Sequence, residues 1–356
     1  MNRTPRRAAT LAAIAALGAL ALTACGLQSG QKSAETTAGT STIVIGSFNV
    51  AESLDPLQAS DAHNDFNIAG MYDRLVDYDS EGKLIPKLAI DWKFDDTATQ
   101  LNLTLRKDVK FHSGNTLTPD DVVYTLERDK RIGSGAASFL SDFVSAKAEG
   151  PQNVAITLSK TDLDFIGALS MIYILDSKLV KEHAGTDDGQ GWLASHEAGS
   201  GPFSMASYKP NQELDLTRFK DYWGFDAKRP GTLVLRMNTD ASTNRDDFLA
   251  GNLDITMALN GVDVDAIRKN PKYQVVNIPE PVETYGWLNY HGKVTGDVRV
   301  REAIQLAYDY EGHLSSALGG QGSIADAILP AGMSCRVDAG KPVQDLAKAK
   351  QLIEQA

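Results

Sequence analysis

The cysteine economy of this chain constrains its fold before any other feature does. Only two cysteines occur in 356 residues, Cys25 and Cys335. Cys25 closes an N-terminal leader in which Arg3, Arg6 and Arg7 form a basic start. The run from Leu11 to Leu22 carries no charge, and Leu22-Thr23-Ala24-Cys25-Gly26 ends it. That apolar stretch is too short to span a bilayer comfortably and has the order of an export signal. If Cys25 is consumed at a new N-terminus, Cys335 has no partner within the chain. The fold is then expected to work in an exported compartment without an intramolecular disulfide, on its hydrophobic core alone. Cys335 itself reads as an incidental thiol, since no His or Cys lies near it in sequence.

An ordinary export signal needs only small residues at the cut, whereas this one places a thiol there. Residues 1–24 therefore resemble a bacterial lipoprotein signal, with Cys25 as the residue to be lipidated. The alternatives are a membrane helix or a plain secretory signal with a chance cysteine. Arg6-Arg7 fits a twin-arginine signal poorly. A diacylglyceryl group on Cys25 would supply two chains, enough to anchor stably where one chain holds only marginally. Residues 25–42 are rich in Gly, Ser, Thr and Gln and read as a flexible tether. The expected location is the cell membrane, lipid-anchored on the extracytoplasmic face, periplasmic or cell-surface.

Charge narrows the partners. With 35 Lys plus Arg against 46 Asp plus Glu, the net charge is −11. The three leader arginines belong to the cationic side of that balance, so the rest is more acidic still. Such a surface argues against nucleic acid and against electrostatic adhesion to anionic lipid. After residue 42 no apolar run approaches membrane-spanning length.

The remaining chain is long enough for two domains and reads as mixed α/β. Short alternating or apolar runs predict strands at 43–45, 101–106, 154–158, 214–217, 233–237 and 274–278. The clearest helix begins at Thr118, with Pro119 at its first position, Asp121 three residues past the cap, and Val122 and Leu126 on one face. A second runs from Asp297 through Val300, Ile304 and Tyr308. A third covers 345–356, with Leu346, Ala349 and Ile353 on one side.

Motifs that carry chemistry are scarce. Gly189-Gln190-Gly191-Trp192-Leu193-Ala194 fits a loose dinucleotide pattern, but Thr186-Asp187-Asp188 precedes it where a strand should, so a solvated loop is the better reading. There is no phosphate-binding Gly-Lys-Ser/Thr loop and no Gly-x-Ser-x-Gly elbow. The six histidines are scattered, with no pair at helical metal-ligand spacing; His112, in a Gly-containing turn, reads as a structural hydrogen bonder. Asp95-Asp96 and Asp120-Asp121 are carboxylate pairs of the kind an acidic surface produces, and none stands out for glycoside cleavage. No catalytic residue, metal or cofactor is assigned, and a secreted hydrolase is the weakest functional reading.

The chain does carry an ordered series of segments. Glu52-Ser53-Leu54-Asp55-Pro56 comes first, then Met71-Tyr72-Asp73-Arg74-Leu75-Val76-Asp77-Tyr78, then 84–92 from Leu84 to Trp92. The most specific stretch runs from Leu105 to Val122 and includes Phe111-His112-Ser113-Gly114 and Thr118-Pro119-Asp120-Asp121. Later come Gly199-Ser200-Gly201-Pro202-Phe203, Asp221-Tyr222-Trp223-Gly224, Gly251-Asn252-Leu253-Asp254-Ile255 and 297–304 from Asp297 to Ile304. Eight segments in this order resemble the family-5 solute-binding proteins, the dipeptide, oligopeptide and nickel-binding group. The same residues also have plain structural readings. Gly114 and Gly201 suit turns, Trp92 and Trp223 suit packing, and Arg299 and Arg301 suit pairing with nearby carboxylates.

The resemblance implies an α/β type II periplasmic-binding-protein-like fold with two lobes around a ligand. The first lobe would span 43–288, with a subdomain at 83–199, and 289–356 would form a partial second lobe. In the family the second lobe continues further, so that lobe is expected to be incomplete here, either in a truncated product or in a chain that another chain completes. The strand-like Thr284-Tyr285-Gly286-Trp287-Leu288-Asn289 resembles a crossover at the cleft. Tyr285, Trp287 and Asn289 are thereby the expected ligand contacts, with Glu52 available for a peptide's ammonium group. The implied role is the extracytoplasmic substrate-binding component of an ABC importer, with peptides or a similar small solute as ligand and permease subunits as partners. A non-transporting lipoprotein remnant of the family is the alternative. Peptide, nickel-complex and sugar binders share these motifs, so the sequence does not name the solute.

Overall fold

The protein is described from a computed structural model, which covers residues 41–47, 52–58, 62–79, 81–257, 259–276, 283–320, 322–329 and 336–356. In chain order the strands are β1 (Thr42–Ser47), β2 (Val76–Tyr78), β3 (Leu84–Pro86), β4 (Ala89–Phe94), β5 (Gln100–Leu105), β6 (Phe143–Glu149), β7 (Asn153–Leu158), β8 (Phe203–Lys209), β9 (Glu213–Arg218), β10 (Thr232–Met237) and β11 (Ile255–Thr256). The helices are α1 (Ala62–Ile68), α2 (Pro119–Ile132), α3 (Phe165–Ala168), α4 (Ser177–Glu182), α5 (Gln190–Leu193), α6 (Ala241–Ala250), α7 (Gly261–Arg268), α8 (Val298–Ala307), α9 (Tyr310–Gly312) and α10 (Leu346–Gln355).

Two larger sheets, beside the two-stranded β2-β3, organise the described residues up to 257. One has the order β11-β1-β10-β9-β8. Its β1 lies parallel to both β10 and β11, whereas β9 and β8 run antiparallel. The connection β10–α6–β11 carries the chain past β1, as parallel pairing requires. The other sheet, β4-β5-β7-β6, is wholly antiparallel. In β5 the strand period sets the faces: Leu101, Leu103 and Leu105 are buried while Asn102 and Thr104 are only partly so. Phe111, Val122, Leu126 and Val154 join the same core. A second core gathers Leu54, Met71, Tyr72, Leu175, Leu214 and Leu235 against the first sheet.

Helix α2 starts where its sequence predicts. The Asp121 carboxylate accepts from Thr118 N at 2.7 Å and from Thr118 Oγ1 at 2.8 Å, fixing the first turn. Val122 and Leu126 are fully buried, each contributing roughly 1.5–3 kcal/mol. Gly133 ends the helix in the left-handed region at φ 70°.

Several sequence expectations need correcting. Residues 274–276 form no strand, and 277–278 lie outside the described residues. Residues 284–289 are likewise irregular; a strand needs a hydrogen-bonding neighbour, and none among the described residues flanks them. Residues 190–193 form a helical turn, with Leu193 fully buried, where a solvated loop was expected. Gly201 is needed for close approach and not for turn geometry: a Cβ there would sit 2.6 Å from the Met71 carbonyl carbon. Strands β4, β6 and β8 went unpredicted because Asp91, Lys93, Lys147 and Ser207 interrupt their apolar patterns. Arg301 donates to the carbonyls of Thr295 and Gly296 and not to a carboxylate, while Arg299 does pair with Asp297.

Candidate ligand-binding site

Strands β10, β1 and β11 point the same way and end together. In open α/β sheets the space beyond the carboxyl ends of parallel strands is where ligands bind, because the chain turns away there and leaves a crevice. At this end Ser47 is buried and its carbonyl accepts from Asn238 N at 2.9 Å, tying the ends of β1 and β10. A polar cavity of about 330 Å³ opens beside them, lined by Met237, Asn238, Asn244 and Leu253 among others. Lys209 and Arg236 on its wall both face Glu213, at 2.8 and 3.7 Å, and Asp247 lines the same wall, so two cations are matched by two carboxylates. That lining suits amides and hydroxyls better than a net charge.

The chain leaving β1 is held by its own side chains. Asp55 Oδ1 accepts from Leu57 N at 3.0 Å, and Ser53 Oγ accepts from Asp55 N at 3.1 Å, so residues 53–58 form a hydrogen-bonded turn. Leu54 and Leu57 are buried, and Tyr72 Oη donates to the Leu54 carbonyl at 3.1 Å. Gly135 packs against this turn so closely, with φ 59°, that a Cβ would lie 2.1 Å from the Leu57 carbonyl oxygen. Beneath the turn, the fully buried Arg128 makes a two-pronged pair with Asp55, at 2.6 and 3.3 Å.

A second buried polar cluster ties the two sheets together. Asp73 accepts from Ser200 Oγ, Tyr222 Oη and Trp223 Nε1, each at 3.0 Å. Burial pushes its carboxyl upward despite those three donors. The Arg106 guanidinium covers the Trp223 ring at 4.0 Å. Nearby, His112 Nδ1 meets Glu197 Oε1 at 2.7 Å and Nε2 meets the Gly201 carbonyl at 2.9 Å. Both ring nitrogens face acceptors, an arrangement that favours the doubly protonated ring. Burial opposes that charge, but Glu197 and the carbonyl outweigh it and raise the pKa above the usual histidine value. His112 is thus the structural hydrogen bonder the sequence suggested.

The predicted ligand residues are placed as follows. Cys25 lies outside the described residues. Glu52 is exposed at the start of the turn after β1. Tyr285 and Trp287 stand together with ring centroids 5.6 Å apart, and Trp287 is 87% exposed. Tyr285 Oη donates to Glu283 Oε2 at 2.6 Å and also reaches the Ile328 carbonyl. Asn289 is exposed and caps its own turn by accepting from His291 N at 3.0 Å. No hydrogen bond or ring contact among the described residues joins Glu52 to these three. Sequence reasoning missed Arg128 and Asp129. A signal was available for Asp129: Val122, Leu126 and Asp129 share the inward face of α2, so a carboxylate at that position had to be buried.

Among the described residues no three His, Cys, Asp or Glu side chains are grouped as a metal ion requires. Nor is any described helix long and apolar enough to cross a membrane.

Comparison with known proteins places this architecture. A probable D,D-dipeptide-binding periplasmic protein of Escherichia coli is 30% identical over 301 residues, covering 82% of this chain and 57% of that protein. The di/tripeptide-binding protein 1 of Pseudomonas aeruginosa is 27% identical over 334 residues, covering 85% and 60%. This chain therefore spans about three fifths of the length of these relatives. Among solved structures, the dipeptide-binding protein from Pseudoalteromonas in complex with Met-Leu superposes with a TM-score of 0.76 at 20% identity, over 88% of this chain and 66% of that one. NikZ from Campylobacter jejuni in complex with Ni(L-His) gives 0.73 at 20%, over 88% and 62%. The fold is that of the periplasmic binding proteins. The pattern of the bacterial extracellular solute-binding proteins, family 5, matches residues 83–356, and the chain belongs to that family.

Proposed function

We infer that this protein is the extracytoplasmic substrate-binding component of an ABC importer that captures di- or oligopeptides. The observation that carries this reading is the β11-β1-β10 arrangement, whose common carboxyl end opens on a polar, charge-balanced cavity. A peptide offers backbone amides at every residue, and a site of hydrogen-bonding groups grips them without demanding one side chain. The relatives named for dipeptide and di/tripeptide binding support the same class. In this reading residues 43–288 form the first lobe, with a subdomain at 83–199, and 289–356 belong to the second. Glu52 would take the peptide's ammonium group, Tyr285 and Trp287 would cover its side chains, and Asn289 would bond its backbone. Residues 1–24 would be a signal peptide, with Cys25 lipidated and 25–42 tethering the body to the membrane beside the permease subunits.

Calorimetry with a mixed di- to pentapeptide pool tests the binding role. Saturable heat is expected, with Glu52→Gln weakening it about ten- to a hundredfold through loss of a charge-assisted bond. Absence of saturable binding by any peptide sinks the reading. The anchor is tested separately: Cys25→Ser is expected to appear in the medium or as an unprocessed precursor. A variant that stays membrane-bound at mature size would rule the lipid anchor out.

A further inference from the structure

Residues 52–58, which carry Glu52, proposed above to take the peptide's ammonium group, are held from below by charges with almost no access to water. The Arg128 side chain is 0% exposed, Asp55 1% and Asp129 5%. The guanidinium grips Asp55 through two contacts, lies 3.5 Å from Asp129 Oδ1, and donates from Nε to the Asp188 carbonyl at 2.7 Å. Asp55 in turn shapes the loop, accepting Leu57 N on its side chain and Gln58 N on its carbonyl at 2.9 Å.

Two carboxylates here share one guanidinium. An uncompensated buried charge is expensive, so the cluster is favourable when one carboxyl carries a proton. Asp55 has the shorter, two-pronged contact; Asp129 has the longer, single one. Burial pushes Asp129 up to about 8, with Arg128 opposing the rise and Asp55 adding to it. The other charged groups around α2 are engaged elsewhere. Arg131 pairs with the Asp188 carboxylate, and Lys130 donates to the carbonyls of Phe143 and Val144 on β6. Glu127 accepts from Ala146 N, and Lys181 of α4 lies over the Tyr124 ring. Lys147 and Glu149 of β6 make no ion pair with Asp129 among the described residues.

We propose that Arg128 and Asp129 are positioning residues for the ligand-binding loop 52–58, acting together as a proton-dependent brace. With Asp129 protonated, the guanidinium is left to Asp55 and the loop is held. When Asp129 loses its proton, a second anion competes for Arg128, the grip on Asp55 weakens, and the loop loosens. Neither residue need touch the ligand. The inference rests on reading the carboxyl end of β1 as the binding site.

The test is calorimetry of the full chain with tri-alanine between pH 6 and 9.5, joined to hydrogen exchange of the Leu57 and Gln58 amides without peptide. Relative to Asp129→Asn, wild-type affinity should be level up to pH 7 and about tenfold weaker at pH 9, as one proton lost from Asp129 near pH 8 requires. Asp129→Asn keeps the shape without the charge, so its affinity should fall only as the tri-alanine α-amino group loses its own proton at about pH 8. A merely structural residue would change affinity equally at every pH. An identical pH profile in wild type and Asp129→Asn would overturn the brace. After correction for the intrinsic base-catalysed rate, exchange protection of Leu57 and Gln58 should fall above pH 8 in wild type only. If tri-alanine binds at no pH, the peptide-site reading fails, and the exchange arm still decides: protection that ignores pH through 8 in wild type refutes the brace.

Discussion

Helices α2 and α10 are each closed at the first turn by an aspartate carboxylate and yet end in different energetic states. In α2 the Asp121 carboxylate ties down Thr118; in α10 the Asp345 carboxylate accepts from Lys348 N at 2.9 Å. Both carry an apolar stripe. Yet α2 buries Val122 and Leu126 completely, whereas α10 buries only Ala349 and leaves Leu346 62% and Ile353 52% exposed. Its neighbour α8 likewise buries only Ala303. The lesson is that capping decides where a helix starts, while its stability comes from a partner surface. Around α2 that surface is the β4-β5-β7-β6 sheet. Around 283–356 the described residues offer little: Trp287, Ile328, Val337 and Val343 all stand largely exposed.

The contrast is most exposed to failure in paired truncations. Leu126→Ala is expected to cost about 2–5 kcal/mol in urea unfolding, because a filled core site becomes a cavity. Ile353→Ala, the same kind of deletion on α10, should stay within about 0.5 kcal/mol. Equal losses would mean that α10 has a buried partner after all.

A smaller effect separates buried from exposed charge. The folded pKa of His112 lies above its unfolded value, so its contribution is fully present below about pH 6.5 and fades as pH rises through the folded value. His112→Gln should cost about 1–3 kcal/mol at pH 6, where the charged bond to Glu197 is lost, and less at pH 9. The half-exposed Asp297–Arg299 pair should show no comparable dependence on neutral pH. A pH-independent loss in His112→Gln would show that the ring acts by packing alone.

The smallest effect is local. Asp345→Ala removes one cap and should weaken α10 by about 1 kcal/mol, visible as lost helical circular dichroism without a shift in the main unfolding transition. In the unmodified chain, amides of Leu101–Leu105 should resist hydrogen exchange while those of Leu346–Gln355 exchange freely. Similar protection in both stretches would erase the comparison.

What could be read from sequence follows the same division. Local signals worked: the start of α2, the helices beginning at Asp297 and Asp345, and the alternating leucines of β5 and β9 are written in neighbouring residues. Pairing partners were not. Strand β6 is legible only once β7 is known to lie beside it, and residues 284–289 look like a strand yet have no described neighbour to make them one. The site was half legible for the same reason. The segment Glu52–Pro56 stood out as a motif, but its grip on Arg128 joins residues 73 positions apart, and nothing in either stretch alone reveals that contact.

The place of β1 in its sheet also has a bearing on the order of folding. Ile45 pairs with Leu235 on one side and Ile255 on the other, so the first of the described strands to be made is among the last to find its neighbours. During synthesis it must wait through the whole of the antiparallel sheet, whose strands lie within residues 89–158 and can close on one another early. Contacts of such sequence span form slowly, because the intervening loop must first be brought together. Until then β1 is an unpaired apolar strand, open to the wrong partner. A chain built this way gains from anything that keeps its beginning unstructured until its middle has arrived.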